Sequence, residues 1–189
     1  MSQNSERAVA RSYASWLTAA THILIVLGLT MLMAVSAHAR AYLPFTPVPV
    51  TFQTMIVLLG GALAGARRGA AAQGLYLGLG ALGAPVLAGG AAGLAILAGP
   101  TGGYLVGFVL AAAVVGALLG GKPASLARIC LVMALGDAII LAAGATYLLV
   151  LGFTLVQAFA LGVLPFLLWD AVKVAVAATS YRLLVGRIS

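Results

Sequence analysis

The stretch from residue 16 to 39, "WLTAATHILIVLGLTMLMAVSAHA", carries no charged side chain and is long enough to cross a membrane as one helix. A helix rises 1.5 Å per residue, so about 20 apolar residues match a hydrocarbon core of ~30 Å. Comparable runs recur to the end of the chain. Across 189 residues there are ten Lys and Arg and three Asp and Glu, while 63% of positions are hydrophobic. Soluble domains carry about a quarter charged residues, so this chain lacks the polar surface to cover a soluble globule. It reads as an all-α, multi-pass membrane protein forming one domain over residues 1–189. Its 24 glycines suit close helix packing in lipid.

Hydropathy and breakers predict six spans, at about 16–39, 53–66, 70–83, 103–120, 125–151 and 158–184. "LPFTPVPVT" separates the first two, and three prolines in nine residues rule out a regular helix there. A Gly-rich link, "GAPVLAGGAAGLAILAGPTGG", precedes the fourth. The charges orient the spans. With the N-terminus inside, Arg7, Arg11, Arg67, Arg68, Lys122, Arg128, Arg182 and Arg187 are cytoplasmic, and Arg40 alone is outside. Five or seven spans would break that alternation. Both termini are therefore expected in the cytoplasm, with residues 1–15 as a tail and loops 40–52 and 84–102 on the outer face of the cytoplasmic (inner) membrane. The run ending in "MAVSAHA" also resembles a cleavable signal. Its length favours a retained span.

The net charge of +7 arises from charges scattered in ones and twos between apolar runs. That pattern is a topology signal and does not suggest a nucleic-acid surface. The single Cys130 permits no internal disulfide, and no Cys/His set has metal spacing, so neither metal nor cofactor is expected. His22 and His38 sit near the ends of the first span. No ATP-binding loop, nucleophile triad or zinc motif occurs, so the chain is not expected to be an enzyme or to drive its own transport with ATP. "GPTGGY" lacks the phosphate-loop lysine, and one copy of "TGGY" does not make an ion filter. It reads as a compact outer loop able to lie over a ligand, with Pro100 and Thr101 capping the fourth span.

Within the last span, "PFLLWDAVK" places Asp170 and Lys173 at i and i+3 on one helix face, Asp170 about 15 Å deep and Lys173 one turn deeper. A charge at mid-bilayer costs about 2.5–3.5 kcal/mol even on the mildest scale, so such groups face a bundle interior or a wet cavity. One reading is a self-satisfied pair that fixes packing. The other is a polar ligand site. A carboxylate accepts and an ammonium donates, which matches a ligand presenting N–H groups beside a carbonyl, as a cyclic urea does. Phe166 and Trp169 supply nearby apolar surface, although tryptophan more often faces lipid. Gln53 opens the second span. Gln73 and Tyr76 share a face of the third. Asp137, in the fifth, either pairs with another span or Lys173 or carries a proton. A proton- or ion-coupled small-solute carrier built on Asp137, Asp170 and Lys173 stands as the alternative function. The absence of an evident inverted repeat argues against it. A third reading is a scaffold bundle whose pair is purely structural.

Four blocks, "PVPVTFQT" (47–54), "QGLYLGLGALGAPVLAGG" (73–90), "GPTGGYLVGF" (99–108) and "GVLPFLLWDAVKVAVAA" (162–178), in this order closely resemble the BioY family. These are the biotin-binding S components of energy-coupling factor (ECF) transporters. The resemblance covers about residues 30–180. It implies a six-helix, substrate-binding membrane protein with high-affinity biotin capture near the outer face. It also implies a partner T component and a pair of cytoplasmic ATPases; a homo-oligomer is left open. Carried over by motif, Asp170 and Lys173 contact biotin, whose ureido ring offers two N–H donors and a carbonyl. Gln73 with Tyr76, Thr51 with Gln53, and Gly99, Thr101 and Gly102 line or cover the pocket. The chain departs from the family twice. "LAGGAAGLAIL" has no basic residue to receive the biotin carboxylate, which leaves loop N–H groups, hydroxyls or water. The alanines expected to dock a T component, here Ala34, Ala37 and Ala41, are offset.

Overall fold

The computed structural model describes residues 3–186. The predicted cytoplasmic Arg187 lies outside them, as do the side chains of Arg7 and Arg11. Among the described residues the chain is mostly helical: α1 (Gln3–His38), α2 (Gln53–Ala64), α3 (Ala66–Ala81), the short α4 (Leu94–Leu97), α5 (Gly102–Leu118), α6 (Leu126–Val150), α7 (Leu155–Gly162) and α8 (Leu164–Gly186). Three stretches, Trp16–His38, Leu126–Val150 and Leu155–Gly186, are long and apolar enough to cross a membrane. α2 and α5 are apolar but shorter. α2 is enclosed by protein, with Val57, Leu58 and Ala62 fully buried, so its length need not match the lipid.

Small residues mark where these helices pack closely. α5 is apolar all round, yet Gly103, Gly107, Ala111 and Val115 are buried while Val106 and Leu110 are exposed. Small residues let neighbouring backbones approach. At Gly116 an added Cβ would strike the backbone of Ala66, so the start of α3 lies directly on α5. α6 starts at Ser125, whose hydroxyl accepts the Arg128 N–H at 3.3 Å. α7 starts with a capping box formed by Thr154 and Gln157.

Three regions differ from expectation. The proline-rich link is not wholly irregular: Arg40–Ala41 and Val50–Thr51 form a two-residue antiparallel ladder, pairing Arg40 with Thr51. The Gly-rich link contains α4 and a single 3-10 turn at Ala88–Gly90. The predicted last span is broken at Val163 into α7 and α8. Pro165 has no N–H to donate to the Leu161 carbonyl, and the Phe166 N–H bonds Val163 instead of Gly162. Both freed carbonyls find side chains: Thr46 donates to Leu161 at 2.6 Å and Tyr104 donates to Gly162 at 2.6 Å.

The Gly121 N–H donates to Ala62, and the Tyr181 hydroxyl donates to Lys122. The α2–α3 turn, the α5–α6 turn and the C-terminal part of α8 therefore share one end of the bundle, with Arg67, Arg68, Lys122, Arg128 and Arg182. Arg40 is at the other end, bonded to the Ala88 carbonyl.

Candidate functional site

A cavity opens toward the Arg40 end of the bundle. Its floor is the last helix. Asp170 and Lys173 line it, 2% and 6% exposed, with Lys173 Nζ 2.8 Å from Asp170 Oδ1. The i, i+3 spacing puts both on one face of α8, a helix that packs mainly against α2 and α6. Each charge compensates the other, which burial demands. Each also keeps capacity for a ligand. An ammonium has three donors and a carboxylate about four acceptor sites, and the pair uses one of each.

The walls are largely apolar. Tyr104, Leu105 and Phe108 come from α5, Ile140 and Leu141 from α6, and Phe166 from α8. The Tyr104 and Phe166 rings are tilted against each other at 6.1 Å between centroids, a favourable aromatic geometry. An added Cβ at Gly144 would fall on the Tyr104 ring, so that glycine makes room for the wall. Toward the mouth lie Val48, Pro49 and Thr51 from the first link, and Leu87, Ala88, Ile96 and Thr101 from the second.

Of the residues singled out by sequence, the cavity brings together Asp170, Lys173, Thr51, Gln53 and Thr101. Tyr76 stands behind this lining, fully buried. Its hydroxyl accepts from Gln53 Nε2 at 2.8 Å and donates to the Val86 carbonyl at 3.0 Å. It therefore fixes Gln53 and the second link together. Gln73 is also buried but outside the lining, and its Oε1 has no hydrogen-bond partner. Gly99 and Gly102 lie outside the lining too; the Gly102 N–H donates to Gly99 and closes the turn that presents Thr101. Phe166 lines the cavity, whereas Trp169, 55% exposed, points away from the core. Asp137 does not join the pair. It lines a separate groove between α6 and α8 with Cys130, Leu167 and Ala171, and its Oδ1 has no partner. Sequence reasoning missed Tyr104, Phe108, Ile140 and Leu141. The glycines at 103, 107 and 144 were the available signal, since they mark where α5 and α6 meet.

Ala37 is fully buried in the core, Ala34 is half-buried and Ala41 is exposed in the ladder. The three do not make one exposed stripe.

The sequence profile of the BioY family matches residues 5–188. A biotin transporter BioY of Rhizobium etli is 40% identical over 166 residues, covering 79% of this chain and 87% of that protein. A biotin transporter BioY of Thermotoga maritima is 40% identical over 136 residues, covering 72% and 80%. The fold matches a crystal structure of the S-component for biotin from an ECF-type ABC transporter. The TM-score is 0.79 at 22% identity, covering 97% of this chain and 94% of that one.

Proposed function

The chain belongs to the BioY family, and we propose that it is a multi-pass membrane protein that captures biotin as the substrate-binding S component of an ECF transporter. The observation that carries the site is the buried Asp170–Lys173 pair at the floor of an otherwise apolar cavity. Biotin's ureido carbonyl accepts from the ammonium, and its N–H groups donate to the carboxylate. The fused rings lie against Tyr104, Phe108 and Phe166. Gln53, held by Tyr76, and the hydroxyls of Thr51 and Thr101 supply further polar contacts.

Six spans, formed by α1, α2, α3, α5, α6 and the α7–α8 pair, carry both termini to the cytoplasm. The gathering of Arg67, Arg68, Lys122, Arg128 and Arg182 at one end supports this orientation. The cavity then opens outward between loops 40–52 and 84–102. A T component and cytoplasmic ATPases complete the transporter, since this sequence has no nucleotide-binding motif. The Ala34, Ala37 and Ala41 set is a weak candidate for their docking surface, since Ala37 is buried.

The test is biotin binding by purified protein. Biotin raises the melting temperature of the detergent-solubilised wild type, as any ligand specific to the folded state does. Near-wild-type affinity in Asp170→Asn and Lys173→Ala would remove the pair from the site. The unpartnered Oδ1 of Asp137 supports a second reading, an ion- or proton-coupled carrier. That reading requires uptake into vesicles holding no ATPase, abolished by an uncoupler.

A further inference from the structure

Biotin has two polar ends, and the floor of the cavity accounts for one. The other is a carboxylate at the tip of an apolar chain, and the link at 84–102 has no cation to receive it. The structure brings one in from elsewhere. Arg40 flanks the mouth on two sides. Its cross-strand partner is Thr51, which lines the cavity. Its Nη1 donates at 2.9 Å to the carbonyl of Ala88, which also lines it.

The side chain is held in place. Its guanidinium carbon sits 4.7 Å from the centre of the Tyr42 ring, and its Nη1 also donates to the Tyr42 hydroxyl. It occupies the space that a Cβ would need at Gly89, a residue with φ of +70°. A side chain at position 89 would expel the guanidinium, and the backbone there favours glycine.

Arg40 has no carboxylate partner among the described residues. The chain's acidic residues are Glu6, Asp137 and Asp170. Asp170 is paired with Lys173, and Glu6 lies on the same α1 about 50 Å away by helical rise. The Arg40 hydrogen bonds to Tyr42 and Ala88 both use Nη1. Nη2 and Nε remain, and together they form a fork that matches a carboxylate. We propose that Arg40, delivered to the mouth by the α1–α2 link and seated on Gly89, receives the carboxylate of biotin and selects it over neutral biotin derivatives. The assignment rests on the reading that this cavity takes biotin.

The experiment compares biotin with its primary amide for binding to the purified full chain. Wild type, Arg40→Gln and Arg40→Lys are measured side by side. A lost charge-assisted hydrogen bond predicts that Arg40→Gln weakens biotin about tenfold. Amide binding stays within about twofold, and Arg40→Lys recovers part of the preference for biotin. An equal loss for both ligands, or no loss for either, overturns the assignment while leaving the site at Asp170 and Lys173 intact. A wild type that binds no biotin overturns the ligand reading, and this assignment with it.

Discussion

Whether the buried pair holds the helices together or holds a ligand is decided by removing its charges one at a time and then together. Lys173 is 6% exposed and Asp170 2%, and the 2.8 Å contact between them is the hydrogen bond each makes. Lys173→Met leaves a carboxylate in an apolar cavity with no cation in contact. Uncompensated burial of that kind destabilises by about 3–5 kcal/mol. Asp170→Asn strands the ammonium similarly, with partial relief from the amide oxygen. The double variant Asp170→Asn/Lys173→Met removes both charges at nearly constant volume, and stability should return to within about 1 kcal/mol of wild type, because exchanging a buried pair for neutral groups is often close to neutral. Thermal unfolding in detergent without ligand reads this cycle. Biotin affinity must behave differently. Both single variants and the double variant should lose about 2–5 kcal/mol of binding, which is a factor of roughly 30 to several thousand. Regained stability without regained binding separates the two roles. A double variant that binds biotin like wild type refutes the donor–acceptor match and leaves the pair as a packing device.

Four other substitutions test the walls and their surroundings. Tyr76→Phe frees Gln53 Nε2 and the Val86 carbonyl; the loss of one buried and one partly buried hydrogen bond should cost about 1–3 kcal/mol of stability and weaken biotin through a loosened Gln53, measured by melting and equilibrium binding. Phe166→Ala should lose biotin affinity whereas Trp169→Ala, whose ring is exposed, should stay within about twofold in the same assay. Gly144→Ala forces a methyl against the Tyr104 ring, and overpacking of about 1–3 kcal/mol should lower the melting temperature together with biotin affinity, as the ring moves into the cavity.

What the sequence reveals depends on whether local rules decide. The charges at 170 and 173 are legible because i, i+3 spacing fixes a common face and lipid excludes isolated charge. The cationic end is legible for the same electrostatic reason. Gln73 and Tyr76 share a face of α3, but spacing cannot say what that face meets. It meets the back of Gln53, so Tyr76 positions a wall residue instead of forming the wall. Tyr104 and Phe108 sit on a helix that is apolar all round, where periodicity carries no information. Arg40 reads as a lone topology charge until the ladder with Thr51 and the turn at Ala88–Gly90 bring it to the cavity mouth.

The break at Val163 shows how these parts depend on one another. Pro165 is plain in the sequence, yet its consequence is tertiary, because a helix can keep a proline if something else takes the released carbonyls. Here the takers come from both sides of the cavity: Thr46 from the first link and Tyr104 from α5. The first tethers the first link to the end of α7, and the second fixes the ring that faces Phe166. The Leu161 and Gly162 carbonyls thus join the first link and the Tyr104 wall to the end of α7 through two hydrogen bonds. A link that moved away from the cavity would give up the Thr46 bond and leave the Leu161 carbonyl needing another donor. The break before Pro165 therefore couples the position of the first link to the end of α7, directly ahead of the helix that carries Asp170.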